Sequence, residues 1–250
     1  MCTLAIYVRQ FATAPLVVAA NRDEFHDRPA AGPAILAEQP RIVGGRDLQA
    51  GGTWLAVSEH GVVAGLLNRR TAEPPVASKR SRGELPLLML RSSSAAAAER
   101  VLATLDGDAY NAFNLLVADR AHAWVAQNHG AALHVTPLPA GVHVLTNVDL
   151  NDPTCSRIAH SHRRFTAAGA AFAADGDLCR FRAALRTILA DHALALDPRL
   201  PDALGALCVH AGPFGTCASS LLVLDDRGRW QHWFADGPPC ATDHAPAPVP

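Results

Sequence analysis

Hydrophobic and polar positions alternate at the start of the chain and predict a strand over residues 3–8. A second apolar strand is predicted at 16–20, followed by a loop that contains Pro29, Pro33 and Pro40. Further strands, bounded by turn residues, are predicted at 54–58, 62–67, 113–118, 123–127, 133–138, 142–146, 219–224 and 230–234.

Helical patterns separate these groups of strands. Capping-box spacing between Ser81 and Glu84 opens a helix that ends near Leu90. Other helices are predicted at 95–105, 155–172 and 178–196. Hairpins followed by helices and a last hairpin favour an α+β fold with mostly antiparallel sheets. We expect one domain over residues 1–240, followed by a disordered tail rich in Pro and Ala at 241–250.

Composition narrows the class of protein. The chain has 250 residues, 49% of them hydrophobic and 18% charged, which fits a globular protein with a sizeable core. A formal net charge of −1 argues against nucleic acid or an anionic membrane as partner. No apolar run is long enough for a membrane span, and no signal peptide is recognised. The six cysteines contain no C-x-x-C pair, so we expect a cytoplasmic protein without a metal site or cofactor.

Cys2 is the candidate nucleophile. Because cysteine is small, removal of Met1 is expected, which would leave Cys2 with a thiol and a free α-amine on one residue. An α-amine has a reference pKa of about 8 and can take the thiol proton, directly or through one water. The alternative is that cysteine stands at position 2 by accident and that Met1 stays in some molecules.

Polar residues at the ends of predicted strands are candidate partners of Cys2. Asp23 can orient the Cys2 amine, and the positive charge of Arg22 can lower the thiol pKa. Asn68 and Asn147 are candidate oxyanion donors, and such a donor contributes on the order of 3 kcal/mol in the transition state. Each of these residues fits an ordinary polar turn equally well.

Five short motifs together resemble the NRDE family, which includes the Transport and Golgi Organisation 2 proteins. They are Met-Cys-Thr-Leu at 1–4, Asn-Arg-Asp-Glu-Phe at 21–25, Gly-Gly-Thr-Trp-Leu at 51–55, Ser-Arg-Gly-Glu-Leu at 81–85 and Gly-Thr at 215–216. The resemblance covers about residues 1–235. It implies an αββα four-layer sandwich of the N-terminal nucleophile hydrolase type, most similar to penicillin V acylases and bile-salt hydrolases.

The resemblance also implies roles for single residues. The Asn-x-Asp of the acylases falls on Asn21 and Asp23, and their Leu-Thr-Asn falls on residues 145–147. Their Gly-Leu-Asn strand end is similar to 65–68, with one residue inserted. Arg157 is the counterpart of their downstream active-site arginine, although no motif anchors that choice.

The chain departs from the related patterns at two positively charged positions. The acylase arginine just before Asn-x-Asp is Ala20 here, and Arg22 stands two positions later. The Gly-Thr-Arg of many NRDE proteins is Gly-Thr followed by Cys217. The first departure leaves open which arginine lies beside Cys2.

Two functions stay open. The first is an N-terminal cysteine amidohydrolase that cleaves a linear amide or related acyl bond of a small molecule, with Cys2 as nucleophile and its α-amine as base. The second is a non-catalytic carrier for haem or an acyl lipid, which the resemblance implies because eukaryotic relatives are linked to haem and lipid handling. The substrate and the oligomeric state cannot be derived from the sequence.

Overall fold

The computed structural model describes residues 2–130, 133–195 and 204–250, and two antiparallel sheets contain all fourteen strands found in these ranges. The strands are β1 (Thr3–Val8), β2 (Leu16–Phe25), β3 (Ala30–Glu38), β4 (Arg41–Asp47), β5 (Leu55–Ser58), β6 (Val63–Asn68), β7 (Phe113–Ala118), β8 (Ala123–Asn128), β9 (Leu133–Pro137), β10 (Gly141–Leu145), β11 (His210–Ala211), β12 (Phe214–Leu224), β13 (Trp230–Ala235) and β14 (Ala245–Pro246). The α-helices are α1 (Glu84–Leu90), α2 (Ala95–Leu102), α3 (Ser156–Asp175) and α4 (Leu178–Leu189).

The chain divides into two compact units, each assembled from separate segments. Unit 1 comprises the residues up to Asp27, together with Ala140–Asp226 and Gln231–Ala247. Its sheet has the order β10-β1-β2-β12-β13-β14, and β11 pairs with β12. β1 therefore lies between β10 and β2, so the first two strands of the chain are neighbours in this sheet.

Unit 2 comprises Arg28–Pro139 and two short later segments, Arg227–Trp230 and Pro248–Pro250. Its sheet runs in the order β3-β4-β5-β6-β7-β8-β9, so that each strand pairs with the next strand along the chain. The helices α1 and α2 pack against this sheet, and their buried leucines and alanines join the inward side chains of β6 and β7 in one apolar core.

The structure differs from the sequence-based expectations in several segments, and α4 ends at Leu189 instead of continuing to residue 196. Strands β3 and β4 occupy a region that was expected to be a loop because of its prolines. Pro33 is tolerated there, since β3 is an edge strand of the sheet. Strand β2 continues to Phe25, since β12 pairs with it over that whole length. In the segment expected to be disordered, Ala245–Pro246 pair with β13, and Asp243 lies 2.6 Å from Nη2 of Arg186.

The long helix α3 lies against β1 at a glycine. Tyr7 on β1 is fully buried, and its hydroxyl donates a 2.8 Å hydrogen bond to the Phe165 carbonyl of α3. A Cβ atom at Gly169 would lie 2.7 Å from Cε1 of Tyr7, which is closer than carbon atoms approach. Glycine at this position therefore lets α3 pack closely on the strand that begins next to Cys2.

We predict that Gly169→Ala lowers the free energy of unfolding by about 1–3 kcal/mol, although alanine is the better helix former by about 1 kcal/mol. The cause is the collision with the Tyr7 ring. Urea denaturation followed by circular dichroism measures the change. Thr166→Ala, an exposed change on the same helix, is the control and should stay within about 0.5 kcal/mol of wild type. A Gly169→Ala protein as stable as wild type would mean that α3 moves outward without cost.

Candidate active site

Cys2 directly precedes β1 and is partly buried. Both neighbours of β1 are antiparallel, with Thr3 opposite Asn21 on β2 and Leu4 opposite Leu145 on β10. The carboxyl ends of β2 and β10 therefore adjoin the start of β1. The polar residues that follow the apolar parts of these two strands meet Cys2 at one edge of the sheet.

The alternation of side chains divides this edge into two faces. The odd-numbered residues of β1, such as Ala5 and Tyr7, join the core formed with α3 and α4. By the period of two along a strand, Thr3 lies on the same face and Cys2 on the opposite face. On β2 the same alternation puts Asp23 on the helix face and Arg22 on the face of Cys2.

A buried ion pair lies on the helix face. Nη2 of Arg157 on α3 is 3.2 Å from Oδ2 of Asp23, and both side chains are at most 1% exposed. The same nitrogen donates a 2.5 Å hydrogen bond to the hydroxyl of Thr3. Oδ1 of Asp23 accepts a 2.7 Å hydrogen bond from the hydroxyl of Thr216. One carboxylate thus connects α3, β2 and β12, and its cation also contacts β1.

A β-bulge in β12 aligns Thr216 with Asp23. Thr216 pairs with Asp23 and Ala218 pairs with Arg22, so that Cys217 is the extra residue. Bulges occur frequently next to active sites, where they redirect a side chain. The Cys217 thiol lies 3.4 Å from the Glu24 carbonyl oxygen, at the position where many NRDE proteins have arginine.

Burial is the largest influence on the ionisation of both Cys2 and Asp23. It raises the pKa of the Cys2 thiol, and the Asp23 carboxylate raises it further, whereas the charge of Arg22 lowers it. Burial also raises the pKa of the Asp23 carboxyl, while the Arg157 cation and the Thr216 hydroxyl lower it. The thiol of Cys2 lies 3.8 Å from the backbone oxygen of Asp23, so it has an acceptor for its proton in the resting state.

Asn147 is buried and lies two residues beyond the end of β10. Asn151 connects the loop that contains Asn147 to β10. Its side-chain oxygen accepts a 2.8 Å hydrogen bond from the Val144 amide. Asn151 has a φ of 53°, a left-handed conformation that asparagine adopts more readily than most residues. The structure thus holds Asn147 at the same sheet edge as Cys2.

The other two asparagines among the predicted site residues lie elsewhere. Nδ2 of Asn21 donates to the carbonyl oxygens of Leu189 and Leu207, at 2.9 and 3.0 Å. In this structure it fastens β2 to the end of α4 rather than facing the side of Cys2. Asn68 is exposed at the end of β6 in unit 2, and its role as an oxyanion donor stays a prediction.

The hydroxyl groups of Thr3 and Thr216 contact the buried ion pair, although the sequence patterns predicted no role for them. For Thr216, the Gly-Thr motif was a signal, and its hydroxyl contacts the buried carboxylate directly. For Thr3, the signal was its inward position in an alternating strand. Residues that can hold a metal ion form a separate group of two histidines and two cysteines that does not include Cys2 or Asp23.

The family model described as Transport and Golgi organisation 2 matches residues 1–233. The chain belongs to this family. The Transport and Golgi organization protein 2 homolog of Bos taurus is 29% identical over 238 residues, which cover 86% of this chain and 83% of the bovine protein. The Homo sapiens homolog is 28% identical over 233 residues, with the same coverage.

Solved structures similar to this member of the Transport and Golgi organisation 2 family are N-terminal nucleophile hydrolases. Penicillin V acylase from Agrobacterium tumefaciens has a TM-score of 0.60 at 13% identity, over 94% of this chain and 83% of that chain. The C2A mutant of conjugated bile acid hydrolase from Clostridium perfringens has a TM-score of 0.58 at 10% identity, over 100% and 97%. The α+β fold of the N-terminal nucleophile hydrolases is thereby confirmed, and identities this low show the fold alone.

The helices in the described part of this family member are each too short or too polar to cross a membrane.

We predict that Arg157→Met destabilises the protein by about 3–5 kcal/mol at neutral pH, because it leaves the Asp23 charge buried without its cation. Without this cation the pKa of Asp23 rises above the value that burial already gives it in the wild type, so the folded variant binds a proton more tightly than folded wild type does. Stability lost relative to wild type should therefore grow as the pH rises above the raised pKa of Asp23 in the wild-type protein. Urea denaturation over a pH series measures this. Arg163→Met, an exposed change on the same helix, should show no such pH dependence.

We also predict that alkylation of Cys2 by iodoacetamide still accelerates above pH 8.5, because the thiolate is the reactive form and burial raises the thiol pKa. Arg22→Gln should slow the reaction by up to about tenfold at fixed pH, since one pKa unit changes the thiolate fraction tenfold. Arg9→Gln, at the other end of β1, is the matched control. Peptide mass after limited labelling gives the rate. A rate that levels off below pH 8 would contradict the raised pKa.

Proposed function

We propose that this protein is an N-terminal cysteine amidohydrolase that cleaves a linear amide or a related acyl bond of a small molecule. The observation that carries the proposal is the position of Cys2, at the start of a central strand and beside the edge that carries Asp23 and Asn147. The similarity of the fold to a penicillin V acylase and a conjugated bile acid hydrolase also supports this choice of reaction.

The reaction begins with removal of Met1, which frees the α-amine of Cys2. The thiol sulfur attacks the carbonyl carbon of the substrate, and the thiol proton passes to the α-amine. As the C–N bond breaks, that proton is transferred to the leaving amine, and a thioester on Cys2 remains. Water then attacks the thioester, the amine takes its proton, and the carboxylic acid leaves as the thiol is restored.

The raised thiol pKa fits a mechanism in which the base acts during attack. A neutral thiol at rest needs a proton acceptor within the same step, and the α-amine of Cys2 meets this need with a reference pKa of about 8. Asp23 lies on the opposite face from the thiol, so we assign it to the backbone nitrogen of Cys2, which it would orient. The Arg157 cation favours the charged form of this carboxylate, against the effect of burial on its pKa.

Developing negative charge on the substrate oxygen requires hydrogen-bond donors. The amide of Asn147 is our first candidate, because it is buried at the sheet edge beside Cys2. Asn68 is the second candidate. We assign Arg22, on the face of Cys2, to binding of the acyl part or of an acidic group on the substrate.

The substrate class that we propose is an N-acyl amide. The similar structures include a penicillin V acylase, a conjugated bile acid hydrolase and the Caenorhabditis elegans ortholog of an N-acylethanolamine-hydrolyzing acid amidase. The last of these has a TM-score of 0.55 and 12% identity. These neighbours support a panel of linear N-acyl amides as test compounds for this chain.

A carrier of haem or an acyl lipid is the second candidate function. The observation in its favour is that the resting thiol is neutral and partly buried, so it is not a ready nucleophile. The curated relatives are named for transport and Golgi organisation. A carrier would bind its ligand in the same region without forming a covalent bond to Cys2.

We predict that a processed protein incubated with activated N-acyl amides forms a thioester on Cys2, seen as one acyl mass on the N-terminal peptide. Cys2→Ala should abolish the adduct because the attacking atom is gone. Cys2→Ser should lose most turnover, since a hydroxyl is far less acidic than a thiol. Asn147→Ala should lower kcat about 100-fold with little change in KM, as expected for a donor that acts in the transition state.

Cys155→Ala serves as the matched control, because Cys155 is a buried cysteine of unit 1 at the start of α3. It should keep the adduct and the turnover. Equal residual rates for wild type and Cys2→Ala would end the hydrolase proposal. Binding of haem or an acyl lipid that survives all the Cys2 and Asn147 changes would then favour the carrier.

A further inference from the structure

Four side chains with metal-binding atoms converge in unit 1. His192 follows α4, Cys208 and His210 stand on either side of Val209, and Cys240 follows β13. One ligand atom from each residue can be chosen so that all four lie within 4.8 Å of one another. The residues are far apart in the sequence, so the fold itself brings them together.

The distances among Cys208, His210 and Cys240 match three edges of a tetrahedral zinc site. The sulfurs of Cys208 and Cys240 are 3.6 Å apart, and Nε2 of His210 lies 3.7 Å from the first and 3.4 Å from the second. Bond lengths of about 2.3 Å for Zn–S and about 2.0 Å for Zn–N give tetrahedral edges of about 3.8 Å between sulfurs and about 3.5 Å between sulfur and nitrogen.

His192 has the second contact that metal-binding histidines typically make. Its Nδ1 lies 3.2 Å from the backbone oxygen of Cys208, which orients the ring and selects the tautomer. With the proton on Nδ1, Nε2 keeps a lone pair for a metal ion. Such a bond from the other ring nitrogen to a carbonyl is the usual support of a histidine ligand.

We propose that His192, Cys208, His210 and Cys240 bind one Zn²⁺ ion as a Cys₂His₂ site. Two thiolates and two imidazoles are the donor set of structural zinc sites, and thiolates disfavour magnesium, calcium and manganese. An entry path exists, because His192 and Cys240 also line an open cavity of about 1010 Å³. Three of the four residues are exposed, so the ion reaches its ligands without unfolding of the core.

The alternative chemistry of this cluster is a disulfide between Cys208 and Cys240. Their sulfurs are separated by 3.6 Å, whereas a disulfide requires about 2.0 Å. The ring centroids of His192 and His210 are 5.1 Å apart. A disulfide would not explain why both rings lie beside the two sulfurs. Zinc accounts for all four side chains together.

The ion would stabilise the segment that supports the candidate active site. On one side of Cys208, the Leu207 carbonyl accepts a hydrogen bond from Asn21. On the other side, the Val209 amide donates a 2.9 Å hydrogen bond to the hydroxyl of Thr216, which in turn donates to Asp23. We therefore assign the zinc a structural role, in which it holds this segment against β2 and β12.

The test is the metal content of the full chain, purified with a phosphine reductant and without chelator, and read by plasma mass spectrometry. We expect one zinc per chain. Replacement by Co²⁺ should give thiolate charge-transfer bands and the visible absorption of tetrahedral cobalt. Cys240→Ser and His210→Ala should each weaken zinc binding by more than about 100-fold in competition with a chromophoric chelator, because loss of a direct ligand exceeds the usual effect of an outer-shell change.

Two controls match these changes. Cys179→Ser alters an exposed cysteine that lines the same cavity but lies outside the Cys-His cluster, and His122→Gln alters an exposed histidine of unit 2. Both should bind zinc as wild type does, and circular dichroism verifies that every variant is folded. Reduced wild-type protein that binds neither zinc nor cobalt would overturn the proposal. Equal zinc affinity in Cys240→Ser, His210→Ala and wild type, or a Cys208–Cys240 disulfide that survives the reductant, would also overturn it.

Discussion

The buried pair of Arg157 and Asp23 is the interaction on which unit 1 depends. A charge removed from water must be matched by an opposite charge and by hydrogen bonds, since the desolvation penalty amounts to several kcal/mol per ion. Here the match requires three separate elements to meet: α3 supplies the cation, β2 the carboxylate and β12 the hydroxyl of Thr216. The polar end of the sheet can form only when these elements are in register, so the pair also specifies where the strand of Cys2 must lie.

This arrangement limits what Asp23 can do for Cys2. Strand alternation puts the carboxylate on the helix face and the thiol on the opposite face of the sheet, and the contact of the thiol is with the backbone oxygen of Asp23. A group on the helix face can still reach the backbone nitrogen of Cys2, which lies in the plane of the sheet. The thiol in turn shares its face with Arg22, whose charge partly offsets the effect of burial on the thiol pKa. Asp23 therefore acts on Cys2 from the helix face of the sheet, and Arg22 acts on it from the opposite face.

The sequence was informative where chemistry and periodicity coincide within a short segment. The first strand, Cys2 and Asp23 could all be found from local patterns and from the resemblance to the NRDE family. Arg157 could be named only as a counterpart without a motif, because its partner lies 134 residues away. The strand containing Pro33 was not predicted, because proline disfavours a strand except at the edge of a sheet, and the local sequence does not show which strand will be at an edge. The Cys-His cluster has none of the usual spacings of zinc motifs, so its members became neighbours only through the tertiary fold.

The hydroxyl of Thr216 connects these two polar clusters. It accepts a hydrogen bond from the Val209 amide and donates its one hydrogen to Asp23. Because a charged carboxylate can only accept, the hydroxyl must be the donor in this contact. The amide that it accepts from lies between Cys208 and His210, two of the proposed zinc ligands. The hydroxyl oxygen of Thr216 therefore links the segment that carries the Cys-His cluster to the Asp23 carboxylate. The β-bulge makes this contact possible. If Cys217 paired with Asp23 in regular alternation, Thr216 would lie opposite Glu24 on the other face of the sheet, and the Asp23 carboxylate would lose the Thr216 hydroxyl.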